Sequence, residues 1–286
     1  MKKLGLVLEG GGMRGAYTAG CLAWMLENGY KADVVVGISS GSLYGAMYAL
    51  NIPETMKKIS IEKAASPRNS GILPIFLEGQ VVGYNYMFDT VFDEVQMPMD
   101  KISDFEGEFF AGVYDLEAQD TIWISKDEMD DRGRYIKAAC TLPVMGRAVK
   151  IDGKKYMDGG ITTMIPLEKS IAEGCDAHIV VSTKSAEFVR KPQKRITYRF
   201  MRWFYRRYPK LIESFEARTE KYYEERELIE SLEAKEKAIN LYPSKEVGVG
   251  RFGGSLEQYQ ELWDLAFKDC EARRDEIDKI YHSVKG

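Results

Sequence analysis

The sequence predicts an α/β protein in which helices cover both faces of a mainly parallel sheet. Short apolar runs alternate with patterns of helical spacing over the first fifty residues, and this alternation is typical of parallel sheets. An apolar fraction of 45% and a charged fraction of 29% argue against disorder or a fibrous repeat. The 286 residues correspond to one large domain with an appendage, or to two domains of ~150 residues.

The predicted elements follow in a regular order. The apolar run at 4–8 indicates a buried strand, and helical spacing over 16–28 indicates a helix that Gly29 ends. A β-branched run at 34–36 predicts the second strand, and small residues at 42–50 predict the next helix. Further strands are predicted at 109–113, 121–125 and 178–182, a hairpin at 150–157, and helices at 134–140 and 166–174.

Two stretches differ from this order. Residues 66–100 are rich in proline, glycine and aromatic residues, which predicts an irregular or short-helical excursion lying over a pocket. The composition changes near residue 190, where nine Lys or Arg and no acidic residue occupy 190–210. We therefore expect a main domain at 1–190 and, packed on it, a mostly helical extension at 191–286 that ends in an amphipathic helix.

Composition limits the function classes. Forty basic and forty-four acidic residues give a net charge of −4, which provides no global electrostatic case for nucleic-acid binding. The four cysteines are far apart without a CxxC pair, and there are only two histidines. Paired-cysteine zinc sites, disulfide frameworks and sites built on several histidines are therefore not expected. We expect neither a metal nor a cofactor.

Targeting signals are weak. The first apolar run is five residues long before Glu9 interrupts it, whereas a secretory signal needs ~7–15 apolar residues. No run approaches the ~18 apolar residues of a transmembrane helix. We expect a cytoplasmic protein, with peripheral contact to the inner face of the membrane as an open alternative.

A glycine loop follows the first strand and matches G-x-G-x-x-G, with the residues Gly10, Gly11, Gly12, Met13, Arg14 and Gly15. Three interpretations are open. The loop can bind a dinucleotide, its backbone N–H groups can form an oxyanion hole, or it can be only a tight turn. A dinucleotide site also needs an acidic residue at the end of the second strand, and Asp33 stands at its start instead.

The second strand leads into a G-x-S-x-G motif, in which Gly37 and Gly41 flank Ser39. A strand before the motif and a helix after it form the context of a nucleophile elbow. Glycines leave room for the chain at such a turn, and the following helix N-terminus favours negative charge. The sequence therefore predicts Ser39 as a nucleophile.

A serine nucleophile needs a base. Asp158 ends a predicted strand and is followed by Gly159 and Gly160, a turn that can project a carboxylate. Burial and contact with the serine hydroxyl would make this carboxylate an effective base. The histidines His178 and His282 are the alternatives, in the chain order of an α/β-hydrolase triad.

In this order the three blocks G-G-G-x-R-G, G-x-S-x-G and D-G-G resemble the patatin-like phospholipases, together with the segment 138–143 ahead of the aspartate. The resemblance covers roughly residues 4–185. It implies a three-layer α/β/α sandwich and a Ser-Asp dyad without a metal, in a catalytic domain at 1–190. By position, Ser39 is the nucleophile, Asp158 the base and the Gly10–Gly12 backbone the oxyanion hole, while Arg14 matches the family's basic position. Gly160 stands where alanine is also common in the family.

The expected function is a serine lipid acyl hydrolase, either of phospholipase A type or a general carboxylesterase, acting through an acyl-enzyme on a lipid or other acyl ester. An acyltransferase, a thioesterase or a non-catalytic anion- or lipid-binding module remains an alternative. Residues 195–211 have the pattern of a basic amphipathic helix, which fits either an anionic membrane or packing with a solvated basic face. The acidic stretch after it argues against nucleic acid as the partner.

Overall fold

An eight-stranded mixed sheet lies at the centre of the protein, whose computed structural model describes residues 2–285. The strands are β1 (Leu4–Leu8), β2 (Val34–Ile38), β3 (Glu108–Asp115), β4 (Asp120–Ser125), β5 (Val149–Ile151), β6 (Lys154–Asp158), β7 (Ala177–Val181) and β8 (Ala238–Leu241). The α-helices are α1 (Gly15–Glu27), α2 (Ser40–Ala49), α3 (Pro53–Lys58), α4 (Ile72–Glu78), α5 (Phe92–Glu94), α6 (Arg134–Cys140), α7 (Leu167–Ala172), α8 (Arg195–Phe204), α9 (Pro209–Glu233), α10 (Leu256–Ala272) and α11 (Arg274–Lys285).

The strand order is β5-β6-β3-β2-β1-β7-β8, and β4 pairs with β3 off this path. The run from β3 to β8 is parallel throughout. Within this sheet, as described for residues 2–285, antiparallel pairings occur only where β4, β5 and β6 are added beside β3. The predicted α/β fold with a mainly parallel sheet is confirmed.

Helices cover both faces of the sheet. Leu4, Leu6 and Leu8 of β1 pack into a core shared with α1, α2 and α10, whereas Val7 packs into a second core with α7 and α9. All five residues of β1 are buried. A strand that is covered on both faces has a continuous apolar sequence, and the three-layer α/β/α arrangement follows from that burial.

The predicted hairpin at 150–157 is formed by β5 and β6. Its turn residues Asp152 and Gly153 both have positive φ, at 48° and 90°. Positive φ at both central residues is what a type I′ hairpin turn requires, and Asp-Gly is a preferred pair for it.

The C-terminal part departs from expectation at one place. The basic segment 195–211 is not one helix, because α8 ends at Phe204 and Pro209 begins α9 after a non-helical Tyr208 (φ −126°, ψ 74°). Residues after 190 are mostly helical and also contribute β8, which joins the sheet parallel to β7. A four-residue strand offers too few alternating positions to be recognised from the sequence. No helix among residues 2–285 is long and apolar enough to span a bilayer.

Candidate active site

Ser39 lies at a sharp turn between β2 and α2. Its backbone, with φ 55° and ψ −126°, is in a region that residues other than glycine rarely adopt. The residue is 9% exposed and lines a cavity. Nucleophile elbows have a strained strand-to-helix turn of this kind.

The two flanking glycines are required by close approach of the backbone. A Cβ on Gly37 would collide with the carbonyl group of Gly41, and a Cβ on Gly41 would collide with the carbonyl oxygen of Leu8 in β1. Neither obstacle is a flexible side chain. The chain can therefore turn tightly at Ser39 only because both positions lack a side chain.

Strand β3 brings Asp158 to Ser39. Ile38, the last residue of β2, is opposite Gly112 of β3, and Asp158, the last residue of β6, is opposite the next residue, Val113. β4 pairs along the same part of β3 and occupies its other edge. Strands β2 and β6 must then share one edge of β3 and meet there end to end, which places the serine next to the carboxylate.

The Asp158 carboxyl group is 1% exposed. Its Oδ1 accepts a hydrogen bond from Gly160 N–H at 2.7 Å, and within residues 2–285 no donor reaches Oδ2 with full hydrogen-bond geometry. Burial raises the pKa of Asp158, while the nearby Ser39 hydroxyl, the Gly160 hydrogen bond and the charges of Arg218 and Arg251 partly oppose that rise. The carboxylate is thus more basic than an ordinary aspartate and retains an oxygen that can take a proton.

Several backbone amides of the glycine loop already have acceptors. They are Gly10 N–H to the Met164 carbonyl (3.1 Å), Gly11 N–H to Ser40 Oγ (3.0 Å) and Met13 N–H to the Arg251 carbonyl (3.1 Å). Among residues 2–285, no backbone or side-chain acceptor forms a hydrogen bond with the N–H groups of Gly12 and Ser40. Gly12 lines the cavity of Ser39, and Ser40 is the first residue of α2. These two amides are available to a negatively charged oxygen.

Most of the predicted site residues lie around Ser39, but Arg14, Gly15 and Gly159 do not line its cavities. Ser39, Asp158, Gly160 and Gly10–Gly12 line one small cavity, and Met13 and Gly12 line an adjoining one. Arg14 instead lines a separate cavity beside Lys184. Gly15 and Gly159 serve packing, because a Cβ would lie 2.8 Å from Ser40 Cβ at the first and 2.7 Å from the Gly112 carbonyl oxygen at the second.

The adjoining cavity is mostly apolar and has a volume of about 90 Å³. Ser39 lies at its wall, and its apolar lining includes Leu43, Ile59, Val82, Met87 and Phe88. Several of these residues belong to the excursion at 66–100, which contains the short helices α4 and α5. An apolar pocket next to a serine suits the hydrocarbon part of a substrate.

Neither histidine lies near Ser39. His178 is buried in β7, bonded through Nδ1 to Ser170 Oγ at 3.0 Å, and burial lowers its pKa to about 4. Through the register of β7, β1 and β2 it is level with Val34, five residues or ~16 Å along the strand from Ser39. His282 is on α11, exposed to solvent.

Asp33 is not placed where a dinucleotide site would need an acidic residue. Asp33 precedes β2, where its Oδ2 accepts from Leu4 N–H at 2.7 Å and Oδ1 pairs with Lys285. It therefore lies at the opposite end of the strand from the glycine loop. Among residues 2–285, no three His, Cys, Asp or Glu side chains form a group that could hold a metal ion.

Sequence reasoning missed a buried ion pair that holds the glycine loop. Glu9 follows β1 directly and accepts from Thr183 N–H (2.6 Å), Thr183 Oγ1 (2.9 Å) and Lys184 Nζ. Burial raises the pKa of Glu9, but the charge and hydrogen bonds of Lys184 and Thr183 outweigh it and lower the pKa overall. The signal in the sequence was a lone acidic residue between an apolar strand and a run of glycines. Arg218 and Arg251, also missed, had no local signal.

A family model described as patatin-like phospholipase matches residues 6–170. A second, described as a domain of unknown function, matches residues 208–282.

Curated relatives are similar over about two thirds of the chain. An uncharacterized protein, YjjU of Escherichia coli (strain K12), is 24% identical over 198 residues, which are 67% of this chain and 55% of the relative. The lysophospholipase NTE1 of Pyricularia oryzae is 26% identical over 65% of this chain and 12% of its own length. The NTE1 lysophospholipase of Saccharomyces cerevisiae is 27% identical over 64% of this chain and 11% of its own length. The chain thus spans about half the length of the first relative and a small part of the other two.

Among solved structures, VipD from Legionella pneumophila matches 99% of this chain and 67% of its own, with a TM-score of 0.52 and 14% identity. At that identity the likeness concerns the fold alone.

Proposed function

The chain belongs to the patatin-like phospholipase family, and from that premise we propose that it is a serine lipid acyl hydrolase with a Ser39–Asp158 dyad. The observation that carries the proposal is the meeting of a strained serine elbow with a buried carboxylate at one edge of β3. Phospholipase A-type and general carboxylesterase activity both fit this arrangement. Residues 1–190 form the proposed catalytic domain, and 191–286 the extension packed on it.

Acylation begins when Asp158 accepts the Ser39 proton and Oγ attacks the ester carbonyl carbon. The resulting oxyanion accepts from the N–H groups of Gly12 and Ser40, and the N-terminus of α2 adds favourable potential. Collapse of the tetrahedral intermediate breaks the ester C–O bond, and Asp158 returns the proton to the leaving alcohol. An acyl-Ser39 ester remains.

Deacylation repeats the sequence with water. Asp158 takes a proton from a water molecule, and the oxygen of that water attacks the acyl-Ser39 carbonyl carbon. The Ser39 oxygen leaves and recovers the proton, and the fatty acid is released. Because the apolar cavity adjoins Ser39, it would hold the acyl carbons nearest the ester throughout both steps. Two of the relatives are named lysophospholipases, so we propose single-chain lipid esters as the first substrates to test.

The decisive test uses purified wild type, Ser39→Ala and Asp158→Asn. We expect a fluorophosphonate probe to label the wild type only, because only an activated serine reacts with it. Hydrolysis of a short-chain p-nitrophenyl ester should be lost in both variants while their circular dichroism spectra stay unchanged. Ester hydrolysis that survives Ser39→Ala would refute the proposal. An unlabelled wild type would favour a binding module.

We further propose a cytoplasmic enzyme that contacts the inner face of the membrane through α8 and α4. Ile196, Phe200, Trp203 and Phe204 are exposed on α8 in a strongly basic stretch, with Trp203 at 62%. On α4 Phe76 is 82% exposed.

The two helices flank one loop, since Val81 N–H donates to the Met145 carbonyl at 3.0 Å and Val144 N–H donates to Tyr205 Oη at 3.1 Å. An apolar surface beside basic residues matches an anionic lipid interface.

A flotation assay tests this contact. Arg202, Arg206 and Arg207 changed together to Ser should reduce binding to phosphatidylglycerol vesicles, and Trp203→Ser should do the same. Ile171→Ser, at a 40% exposed position on α7, is the matched control and should bind as the wild type does. Unchanged flotation of the arginine variant would show that α8 is only a packed helix with a solvated basic face.

A further inference from the structure

Four arginines lie close together around the glycine loop: Arg14, Arg190, Arg218 and Arg251. The charge of Arg251 lowers the pKa of the other three, and that of Arg190 lowers the pKa of Arg14 and Arg218. Among residues 2–285, none of their guanidinium groups forms an ion pair or donates a hydrogen bond. The Nε atoms of Arg14, Arg190 and Arg218 are buried without a partner. Arginine is almost never fully buried unless it is paired. Arg190 and Arg218 are each 8% exposed and contact the rings of Tyr222 and Phe215 instead of a carboxylate.

The carboxylates near the cluster are already engaged. Glu9 is paired with Lys184, and Asp158 is the proposed base. Glu225 accepts from Met164 N–H at 3.1 Å and Ile165 N–H at 3.0 Å. Burial raises the pKa of Glu225 to about 8, so it carries little negative charge at neutral pH. The cluster therefore keeps an excess of positive charge.

Two of these arginines face the nucleophile. Arg218 of α9 and Arg251, in the loop before α10, line the same small cavity as Ser39 and Gly12. The Arg218 side chain is only 8% exposed. Burial, followed by repulsion from Arg251 and Arg190, lowers its pKa to about 9. It remains a cation at neutral pH. Asp158 in the same cavity acts on it through its charge, but no carboxylate among residues 2–285 forms a direct ion pair with it.

We propose that Arg218 and Arg251 form a subsite for the phosphate group of the lipid whose acyl ester Ser39 cleaves. This rests on the proposed function. Guanidinium groups bind phosphate through paired N–H donors, and a phosphate would satisfy the unpartnered nitrogen atoms and offset the excess charge.

The two cavities give the substrate an orientation. Both are lined by Ser39 and Gly12. The acyl chain would extend toward the apolar cavity and the phosphate toward Arg218 and Arg251. The cavity that these arginines line has a volume of about 20 Å³, room for one water, so the phosphate would bind there with the two side chains moved apart. The ester then lies between them, at the nucleophile and the available Gly12 amide.

The subsite also gives the C-terminal extension a role. Both arginines lie within residues 208–282, the part matched by the domain of unknown function. The catalytic domain supplies the nucleophile and base, and the extension supplies the phosphate-binding groups. The arginines could instead act only by lowering the pKa of Asp158. That role would affect phosphate-bearing and neutral substrates equally. The ratio of their kcat/KM values therefore distinguishes phosphate binding from an effect on Asp158.

Binding is measured first, by calorimetry on Ser39→Ala protein, so that the result does not depend on hydrolysis. The probes are octyl phosphate, octyl glucoside as its neutral counterpart, and inorganic phosphate. We expect octyl phosphate to bind most tightly of the three. Its affinity should fall about tenfold or more in Arg218→Gln and in Arg251→Gln. Arg274→Gln is the control, because Arg274 pairs with Glu271 at the far end of α1 and should leave binding unchanged.

The outcomes are distinct. Octyl phosphate that binds no tighter than octyl glucoside, or equally well to Arg251→Gln, overturns the subsite. Inorganic phosphate that binds as tightly as octyl phosphate overturns the lipid assignment in favour of free phosphate. Arg251 is only half-buried, so its variant remains informative if Arg218→Gln does not fold.

The kinetic arm compares a lysophospholipid with a monoacylglycerol of the same chain in otherwise wild-type enzyme. The ratio of their kcat/KM values should fall about tenfold or more in the Arg218→Gln and Arg251→Gln variants. An unchanged ratio in an active enzyme refutes the subsite and leaves the hydrolase proposal standing. If the wild type cleaves neither ester, the hydrolase proposal fails and the calorimetric result alone decides the subsite.

Discussion

A single methyl group at Gly41 should disable the nucleophile without unfolding the protein. The Cβ of Gly41→Ala would meet the carbonyl oxygen of Leu8 in the central strand β1. The chain would have to move by about 1 Å to restore an ordinary contact of 3.4 Å. Because Ser39 is two residues away on the same turn, the nucleophile moves with it. Misplacement of a reacting group by about 1 Å costs about 100-fold in rate.

Gly45→Ala is the matched control, one turn further along α2. Its Cβ would also meet Leu8, but at the side-chain atom Cδ1 and at 3.0 Å, a contact that the side chain can relieve. We expect Gly41→Ala to lose about 100-fold in kcat/KM for a p-nitrophenyl ester and Gly45→Ala to stay near the wild type. Thermal melts establish that both variants fold. The reasoning fails if Gly41→Ala keeps wild-type activity, or if both variants lose activity equally.

Four further outcomes are expected. Asp158→Asn should lower kcat/KM by about 10²–10⁴-fold; in the wild type, kcat/KM should fall with decreasing pH through a midpoint above the 3.8 of an ordinary aspartate, because burial raises the pKa of Asp158 and only its ionised form is a base. A pH profile without that acidic limb would contradict this role. The double variant His178→Gln with His282→Gln should keep wild-type kcat/KM, and a folded but inactive protein would point to a triad. Glu9→Gln leaves Lys184 as an unpaired buried cation and should reduce the free energy of unfolding in urea by about 3–5 kcal/mol; a loss below about 1 kcal/mol would show that Lys184 finds another partner.

Most of the architecture could be predicted because it depends on local patterns. A strand buried on both faces must be continuously apolar, so residues 4–8 and 34–36 were recognisable. The helix at 134–140 and the Asp152-Gly153 turn are likewise local and agree with α6 and the β5–β6 hairpin. The prediction of one helix over 195–211 was wrong at its C-terminal end, because Pro209 starts a new helix. The regular spacing of the basic residues hid this break.

The candidate site divides in the same way. Glycines that flank Ser39 mark a turn whose strain is local, and the motif predicts it before any packing is known. The proximity of Asp158 to Ser39 depends instead on which edge of β3 receives β6, a tertiary choice that spacing alone cannot reveal. Asp158 could be paired with Ser39 from the sequence because the order of the three motifs resembles the family.

By itself, the sequence determined the layered α/β fold and the strained serine turn, because each rests on residues close together in the chain. Only the tertiary structure decided which loop amides remain available, that Glu9 pairs with Lys184, that both histidines lie away from Ser39, and that Arg218 and Arg251 line its cavity. Those features join segments that are distant in sequence. A charge that is ordinary on a helix surface becomes a binding group only when folding removes it from water and leaves it without a partner.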